Sequence, residues 1–261
     1  MNSILTKKCP LCLSDSKSLW PKINVCKCCS CGLLFRYPAL SLSELDVLYE
    51  TSWSHPNDQL DETGATSFDL AQEYGMRLAK SLGLDNFKGL RILDYGAGRG
   101  AMLKALQDLG AEVYAVEPFG HEFLRDQGFR VFRSLSEVPE NVKFDGIVSL
   151  DVIEHVLVPW ETYGDLQRYL VKRGWLYLST PNAGGINAQY FRSKWRELYN
   201  RGHLFFFTSE TLESTLRKNG SAKIKRLRWF VNYHRGIFAS AMHWLLQFLL
   251  RDGELRYLIF K

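Results

Sequence analysis

The stretch ILDYGAGRG at residues 92–100 decides the fold, because an apolar strand runs there directly into a glycine-rich turn. Glycines in such a turn let the backbone come close to a ligand and let a helix begin without steric conflict. A second apolar stretch, VYAVE at residues 113–117, ends in the carboxylate of Glu117. Together the two stretches predict a strand, a ligand-binding turn, a helix and a second strand that ends in an acidic side chain.

Strands and helices alternate from this point toward the end of the chain. The predicted strands cover residues 91–95, 112–116, 130–132, 144–150, 174–179, 222–230 and 255–260, and the predicted helices cover 101–109, 121–127, 162–171 and 210–218. Strict alternation with apolar strands predicts a doubly wound α/β domain, whose mainly parallel sheet is covered by helices on both faces. Ligands of such sheets bind beyond the carboxyl ends of the strands, where the strand order reverses.

The glycine-rich turn and the distant acid are also compatible with a nicotinamide dinucleotide. The spacing here is G-x-G-x-G, however, whereas dinucleotide-binding turns have G-x-G-x-x-G. Asp94 at the strand end would repel a pyrophosphate but would attract the cationic amino group of a methionine moiety. Glu117 lies about as far along the chain as an acceptor of ribose hydroxyls must. These features favour S-adenosylmethionine over NAD.

Residues 92–100 resemble motif I of the class I S-adenosylmethionine-dependent methyltransferases. Later segments at 144–148, 151–156, 174–182 and 203–208 are also similar to that superfamily, so that the resemblance covers roughly residues 90–220. It implies a Rossmann-like sheet of seven strands and an enzyme that moves a methyl group from S-adenosylmethionine to an acceptor. The implied acceptor atom is a hydroxyl of a small molecule or saccharide, with nitrogen and carbon as alternatives.

The resemblance also implies which residues contact the cofactor. Those beside the methionine part are Asp94, Gly96, Ala97 and Gly98, with Leu150 and Asp151 near the reactive methyl. Glu117 would hold the ribose hydroxyls, and Ser134 and Leu135 would lie near the adenine.

All six cysteines of the 261-residue chain lie in one short N-terminal region. Such clustering without a secretory signal indicates metal binding in a reducing compartment, and we therefore expect a cytoplasmic protein. The two C-x-x-C pairs predict a closed, structural zinc site with the ligands Cys9, Cys12, Cys28 and Cys31. Cys26 and Cys29 form an alternative second pair, but Gly32 directly after Cys31 favours the first choice because glycine allows a tight turn.

The chain is thus predicted to have three parts. Residues 1–38 form a zinc ribbon, residues 39–88 a helical connector with helices at 41–49 and 68–82, and residues 89–261 the methyltransferase domain. Residues 237–250 are strongly apolar but too short to span a bilayer. We expect them to form a helix that packs on the core, with docking on a membrane surface or a partner protein as the alternative.

Asp151, His155 and His203 are candidate catalytic residues that would contact the acceptor. Either histidine could accept a proton if the acceptor has to lose one, although both could equally anchor loops. If a helical turn begins at Asp151, then Asp151, Glu154 and His155 share one face and could bind a divalent ion. Similar Glu-x-x-Glu-His runs contact metal in ubiquinone-pathway O-methyltransferases and in small-RNA 3′-end 2′-O-methyltransferases. The alternative is that Asp151 contacts the cofactor and Glu154 anchors a loop.

The net charge of +5 is mild and does not demand an anionic partner. The sequence has no concentrated basic stripe, which disfavours nucleic acid as a partner and leaves a small-molecule or saccharide acceptor as the expectation. An RNA-modifying methyltransferase and a non-catalytic cofactor-binding module remain as alternatives.

Overall fold

The computed structural model describes residues 7–54, 66–218, 223–229, 245 and 253–261. The strands are β1 Lys7–Lys8, β2 Asp15–Trp20, β3 Val25–Cys28, β4 Leu34–Arg36, β5 Arg91–Tyr95, β6 Glu112–Val116, β7 Arg130–Phe132, β8 Phe144–Leu150, β9 Leu170–Pro181, β10 Phe205–Phe206, β11 Lys223–Arg226 and β12 Glu254–Phe260. The helices are α1 Leu42–Ser54, α2 Thr66–Leu82, α3 Ala101–Asp108, α4 His121–Asp126, α5 Pro159–Arg168, α6 Ile186–Phe191 and α7 Ser209–Arg217.

The large sheet has seven strands in the order β11-β12-β9-β8-β5-β6-β7. Strands β5 to β9 pair in parallel, whereas β12 is antiparallel to both β9 and β11. The chain runs outward from β5 through β6 and β7 and then returns to β8, so the strand order reverses between β5 and β8. The predicted doubly wound sheet is thereby confirmed, and ligands are expected at the carboxyl ends of these two strands.

Two clusters of buried side chains cover the two faces of this sheet. Leu93, on β5, faces one cluster, and its neighbour Ile92 faces the other, as the alternation of side chains along a strand requires. Gly146 in β8 is needed for this packing, because a Cβ there would lie 2.1 Å from Cζ2 of Trp175. The indole of Trp175 therefore crosses β8 at Gly146, where the side chain of any residue other than glycine would clash with it.

Most predicted boundaries agree with the structure to within one or two residues, but the fifth helix is misplaced. It was predicted at residues 162–171, whereas α5 spans Pro159–Arg168 and β9 begins at Leu170. Pro159 occupies the first turn, where its missing N–H is no loss, and so the helix begins earlier than the apolar pattern suggests. The strand predicted at 222–230 is also shorter, since β11 covers only Lys223–Arg226.

A small antiparallel sheet, the ribbon sheet, has the strand order β1-β2-β3-β4-β10. Its last strand, Phe205–Phe206, comes from the part of the chain that follows β9 and pairs with Leu34–Arg36. The sequence did not predict this pairing. The Nζ of Lys218 at the end of α7 also donates to the carbonyl of Leu11, so the ribbon packs against the α/β domain at two places.

The predicted apolar helix at 237–250 lies, except for Leu245, outside the described residues, and its proposed contacts stay a prediction. Within the ranges that the structure describes, no helix combines the length and the apolar character that a bilayer-spanning segment requires.

Candidate active site

The predicted cysteine ligands come together at the tip of the ribbon. The Sγ atoms of Cys9 and Cys31 are 3.7 Å apart, those of Cys12 and Cys28 are 3.4 Å apart, and all four sulfurs lie within 4.8 Å of one another. None of them forms a disulfide. Four thiolates around a tetrahedral zinc ion, with Zn–S of about 2.3 Å, are separated by about 3.8 Å, so the arrangement fits a structural zinc.

The rest of the cysteine region supports this set of four ligands. The backbone N–H groups of Ser30 and Cys31 donate to Sγ of Cys28 at 3.4 and 3.3 Å, which fixes the position of this sulfur within the group. Cys26 is buried in β3 and Cys29 is exposed, and neither belongs to the group. The alternative pair Cys26 and Cys29 is therefore not the one that the fold brings together.

The glycine-rich turn follows β5 and crosses the end of β6. Gly96 and Gly98 have φ angles of 79° and 52°, in the left-handed region that favours glycine. The N–H of Gly96 donates to the carbonyl of Val116 at 2.8 Å. A Cβ on Gly96 would lie 2.4 Å from Cγ2 of Val152, so only glycine lets the turn approach the segment after β8 this closely.

Glu117 follows β6 and is 5% exposed. Its Oε2 accepts a hydrogen bond from the N–H of Gly98 at 2.8 Å, and its Oε1 accepts from the N–H groups of Phe119 and Gly120 at 3.0 and 3.3 Å. These bonds fix the carboxylate beside the glycine-rich turn. A carboxylate has about four acceptor positions, so these three bonds leave one position on Oε2 open to a ribose hydroxyl.

Asp94 at the end of β5 is 2% exposed, and its Oδ2 has no hydrogen-bond partner among the described residues. Burial raises the pKa of this carboxyl to about 7, and the negative charge of Glu117 adds to the rise. A buried oxygen without a partner is costly unless a ligand supplies one. The site thus fits a ligand that brings a cationic amino group to Asp94 and a hydroxyl to Glu117, as S-adenosylmethionine would.

We expect the affinity for S-adenosylhomocysteine, which carries the same amino group, to fall as the pH drops below neutral. Above a pKa of about 7 the Asp94 carboxylate is already ionised, whereas below it binding has to release a proton. The affinity should then fall by up to about tenfold per pH unit. Calorimetry in two buffers of different ionisation enthalpy measures the released proton directly. Asp94→Asn should remove the proton release. If the wild-type protein binds at acidic pH and releases no proton, this role of Asp94 is contradicted.

Glu154 lies two residues after Val152 and is 1% exposed. The Oγ1 of Thr180 donates to its Oε2 at 2.8 Å, whereas Oε1 has no hydrogen-bond partner among the described residues. Burial, together with the negative charge of Asp151, holds the pKa of Glu154 well above its usual range. A cation beside Oε1 would offset this cost.

Two imidazoles face that oxygen. The Nε2 atoms of His155 and His203 are each 3.9 Å from Oε1 of Glu154, and the ring centroids are 4.6 Å apart. Burial lowers the pKa of His155 to about 4 and that of His203 to about 3, so both rings are neutral at neutral pH. A neutral imidazole is a common metal ligand. One carboxylate and two neutral imidazoles together form a donor set that suits a divalent cation.

His155 is held in place by two partners of its second ring nitrogen. Its Nδ1 lies 3.0 Å from the carbonyl of Gly202 and 2.7 Å from the hydroxyl of Tyr49. In the tautomer that donates from Nδ1–H to the carbonyl, the lone pair of Nε2 is free and directed toward Glu154. Histidines that bind metal usually have their other nitrogen bonded in this way.

The predicted grouping of Asp151, Glu154 and His155 on one helical turn is wrong. Asp151 has a φ of 52°, so the chain turns sharply after β8 instead of starting a helix. Its Oδ1 accepts a hydrogen bond from Oγ of Ser179 at 3.3 Å, and the group that could hold a metal contains His203 in its place. His203 was singled out in the sequence as a base, and the structure brings it to Glu154.

The remaining predicted contacts lie at the carboxyl ends of parallel strands. Leu150 ends β8, and Ser134 and Leu135 follow β7 directly, where Ser134 precedes a short 3₁₀ turn. These positions suit residues that face a bound nucleoside. Their roles stay predictions.

Sequence reasoning missed Tyr49 and Thr180, which contact His155 and Glu154 respectively. Tyr49 lies in the connector helix α1 and Thr180 lies in β9. No motif marks Tyr49, and Thr180 lies within the segment 174–182 but was given no role, because each is brought to the site only by the packing of distant segments.

Residues 68–225 match the family described as "Methyltransferase domain". The chain belongs to this family. Among similar proteins, the human mitochondrial ubiquinone biosynthesis O-methyltransferase is 28% identical over an alignment of 177 positions, which covers 60% of this chain and 47% of that protein. The ubiquinone biosynthesis O-methyltransferase of Roseobacter denitrificans is 26% identical over 72% of this chain and 78% of its own length. The methyltransferase thus spans about half the length of its human relative.

Solved structures of similar fold are also methyltransferases. An S-adenosylmethionine-dependent methyltransferase from Archaeoglobus fulgidus superposes with a TM-score of 0.52 at 18% identity, over 73% of this chain and 94% of that one. A Burkholderia thailandensis 1,6-didemethyltoxoflavin-N1-methyltransferase with bound S-adenosylhomocysteine gives a TM-score of 0.55 at 17% identity, over 94% and 98%. These similarities show the fold. Together with the family match, they identify the chain as a class I S-adenosylmethionine-dependent methyltransferase.

Proposed function

We propose that this methyltransferase moves a methyl group from S-adenosylmethionine to a hydroxyl of a small molecule, and that a divalent cation assists at the acceptor. The observation that carries the proposal is the convergence of Glu154, His155 and His203 around one carboxylate oxygen that has no hydrogen-bond partner among the described residues. Glu154 and His155 follow within three residues of Val152, whose side chain lies against the glycine-rich turn. A saccharide hydroxyl is one member of the proposed substrate class.

On the cofactor side, we propose that Asp94 holds the amino group and that Glu117 holds the ribose through a hydroxyl. S-adenosylmethionine supplies the methyl group on a sulfonium, which is already a good electrophile. The work of the surrounding residues is therefore to align the two reactants. The proposed lining of the methionine and adenine parts is Gly96, Ala97, Gly98, Ser134, Leu135, Leu150 and Asp151.

On the acceptor side, we propose that Glu154, His155 and His203 hold the cation. A divalent cation there would polarise an acceptor hydroxyl and ease the loss of its proton. Acting alone as a base is the weaker role for either histidine, because a pKa of about 4 or 3 makes each imidazole a poor proton acceptor at neutral pH. Asp151, near the start of the same turn, is proposed to face the reacting groups from the cofactor side.

The curated relatives support an oxygen acceptor. The similar proteins from human and from Roseobacter denitrificans are both named ubiquinone biosynthesis O-methyltransferases. A hydroxyl is also the acceptor group that gains most from a Lewis acid, because its proton is otherwise hard to remove. The name of a relative does not fix the acceptor molecule, and the proposal is limited to the class.

We further propose the division of the chain into a zinc ribbon at residues 1–38, a connector at 39–88 and the methyltransferase domain at 89–261. The four-cysteine group within residues 9–31 supports the zinc ion. Because β4 pairs with β10, the ribbon sheet includes one strand from the methyltransferase domain. The proposed boundary after residue 38 therefore separates two strands of the same sheet.

The cation is tested by chelation under conditions in which the ribbon keeps its zinc. We expect Mn²⁺ binding, followed by electron paramagnetic resonance, to weaken by about 100-fold or more in Glu154→Gln, because the charged ligand is lost. Methyl transfer to a panel of hydroxylated aromatics and sugars should stop after chelation and return with Mg²⁺ or Mn²⁺.

Glu161→Gln is the matched control, since Glu161 is an exposed carboxylate on the neighbouring helix α5. It should leave Mn²⁺ binding unchanged. Full activity after chelation would reject the cation, and binding of S-adenosylhomocysteine without turnover on any acceptor would favour a non-catalytic role.

A further inference from the structure

The ribbon strand β4 is joined to the loop that precedes β10. In the antiparallel pairing, Phe35 lies opposite Phe205 and Leu34 lies opposite Phe206. The backbone N–H of Arg36 extends the pairing by donating to the carbonyl of Leu204 at 2.8 Å. Only Leu204 therefore separates His203 from a strand of the ribbon sheet.

The Arg36 side chain adds three bonds to the same loop. Its Nε donates to the carbonyl of His203 at 3.0 Å, and its Nη2 donates to the carbonyls of Leu198 and Asn200 at 2.9 and 3.0 Å. Its Nη1 donates to the carbonyl of Ile23 in the ribbon at 2.9 Å. A planar guanidinium can satisfy four carbonyls in fixed directions, whereas an ammonium group offers three donors on one atom.

The loop that Arg36 holds contacts both imidazoles of the acceptor site. The Nδ2 of Asn200 donates to Nε2 of His203 at 3.0 Å, a donor that a cation bound to Nε2 would displace, and Oδ1 of Asn200 accepts from the N–H of Gly202 at 3.0 Å. The carbonyl of Gly202 is in turn the partner of Nδ1 of His155. The positions of both rings therefore depend on one loop of six residues, 198–203.

We propose that Arg36 is a positioning residue of the acceptor site: by fixing the carbonyls of residues 198, 200 and 203, it directs His155 and His203 toward Glu154. This inference rests on the proposed function of that site. It gives the ribbon a role in the chemistry, since the ribbon carries the residue that orients the acceptor-side ligands. Arg36 itself touches neither cofactor nor acceptor in this role.

The test uses the full-length, zinc-loaded protein labelled with ¹⁵N-histidine. Long-range ¹H–¹⁵N spectra report the tautomer and surroundings of each imidazole, and the variants His155→Asn and His203→Asn assign the two signals. In Arg36→Gln we expect both signals to shift or broaden, and Mn²⁺ affinity to fall by about tenfold or more, as for other residues that orient metal ligands. In Arg36→Lys, both the change in the imidazole signals and the loss of Mn²⁺ affinity should be smaller than in Arg36→Gln.

Two readouts separate positioning from general damage. Zinc content and the affinity for S-adenosylhomocysteine should stay at the wild-type level in both Arg36 variants, because the hydrogen bonds of the Arg36 side chain reach neither the four cysteine ligands nor Glu117. Lys194→Gln is the matched control, since Lys194 is an exposed base in the segment between β9 and β10, and it should move neither imidazole signal. Loss of zinc or of cofactor affinity along with the histidine signals would overturn the proposal, as would unchanged histidine signals in Arg36→Gln.

A second variant keeps the test decisive if Arg36→Gln does not fold. Asn200→Ala removes the contact to His203 without touching the ribbon, and the His203 signal should then move. An unchanged signal would overturn the role of this loop. If the wild-type protein binds no Mn²⁺ but the imidazole signals still change in Arg36→Lys, the proposed cation site is rejected and the positioning role of Arg36 is supported.

Discussion

Glu117→Ala is expected to reduce the affinity for S-adenosylhomocysteine by about 10- to 100-fold, since a hydrogen bond to a charged acceptor is worth roughly 1.5–3 kcal/mol. The same change also removes the acceptor of three backbone N–H groups, those of Gly98, Phe119 and Gly120. These donors are held in a buried place, so that the glycine-rich turn would lose its fixed shape as well as its ligand contact. Isothermal calorimetry measures the affinity, and thermal unfolding measures the cost to the protein without ligand.

Two further variants serve as comparisons for the loss of affinity. Glu117→Gln keeps the shape and one acceptor oxygen, and we expect a loss smaller than that of alanine. Glu112→Ala is the matched control, because Glu112 lies at the start of the same strand but is exposed and bonds only surface groups, among them Arg91. Its affinity should stay within about twofold of wild type, as is usual for surface substitutions. Wild-type affinity in Glu117→Ala would show that the ribose lies elsewhere.

Cys31→Ser is expected to abolish stable zinc binding and to unfold the ribbon. Structural zinc sites in small peptides contribute about 10–16 kcal/mol of apparent binding free energy, and a segment of this size has little core of its own to replace it. Because β4 of the ribbon pairs with β10, we expect the loss to reach His203 and to abolish Mn²⁺ binding at Glu154. Elemental analysis measures the zinc, and electron paramagnetic resonance measures the Mn²⁺.

The other two cysteines provide the comparison. Cys29→Ser changes an exposed thiol outside the four-cysteine group and should keep one zinc per chain. Cys26→Ser changes a buried thiol in β3 and should lower the melting temperature while retaining the metal. One tightly bound zinc in Cys31→Ser would contradict the proposed ligand set. Affinity for S-adenosylhomocysteine should survive in all three, since the glycine-rich turn and Glu117 belong to the large sheet.

The features that the sequence predicted correctly are those determined by neighbours in the chain. The glycine-rich turn at residues 92–100 needs positive φ angles over a few residues, and spacing alone shows this. The two C-x-x-C pairs likewise carry their geometry within short loops, so the four cysteines could be chosen before the fold was known. Apolar strands and the helices between them follow from the alternation of the pattern, which is why most boundaries agree.

The acceptor side was predicted less well because it is built from contacts between distant segments. His203 and Arg36 meet across 167 positions of the chain, through strands of two and three residues that are too short to show a period. The helical turn predicted at Asp151 failed for a local reason, since a positive φ there turns the chain away from helix. A non-glycine residue in that conformation is uncommon, and sequence patterns do not announce it.

The ribbon sheet takes its final strand from Phe205–Phe206, so an N-terminal fragment that stops short of that strand would leave β4 as a bare edge. Such an edge offers unpaired backbone groups to any other chain and invites aggregation. A nascent chain faces the same exposure until ribosomal synthesis has passed that point. For the engineer who wants to graft this module onto another enzyme, the transferable unit is therefore discontinuous: the cysteine segment together with the loop that completes its sheet.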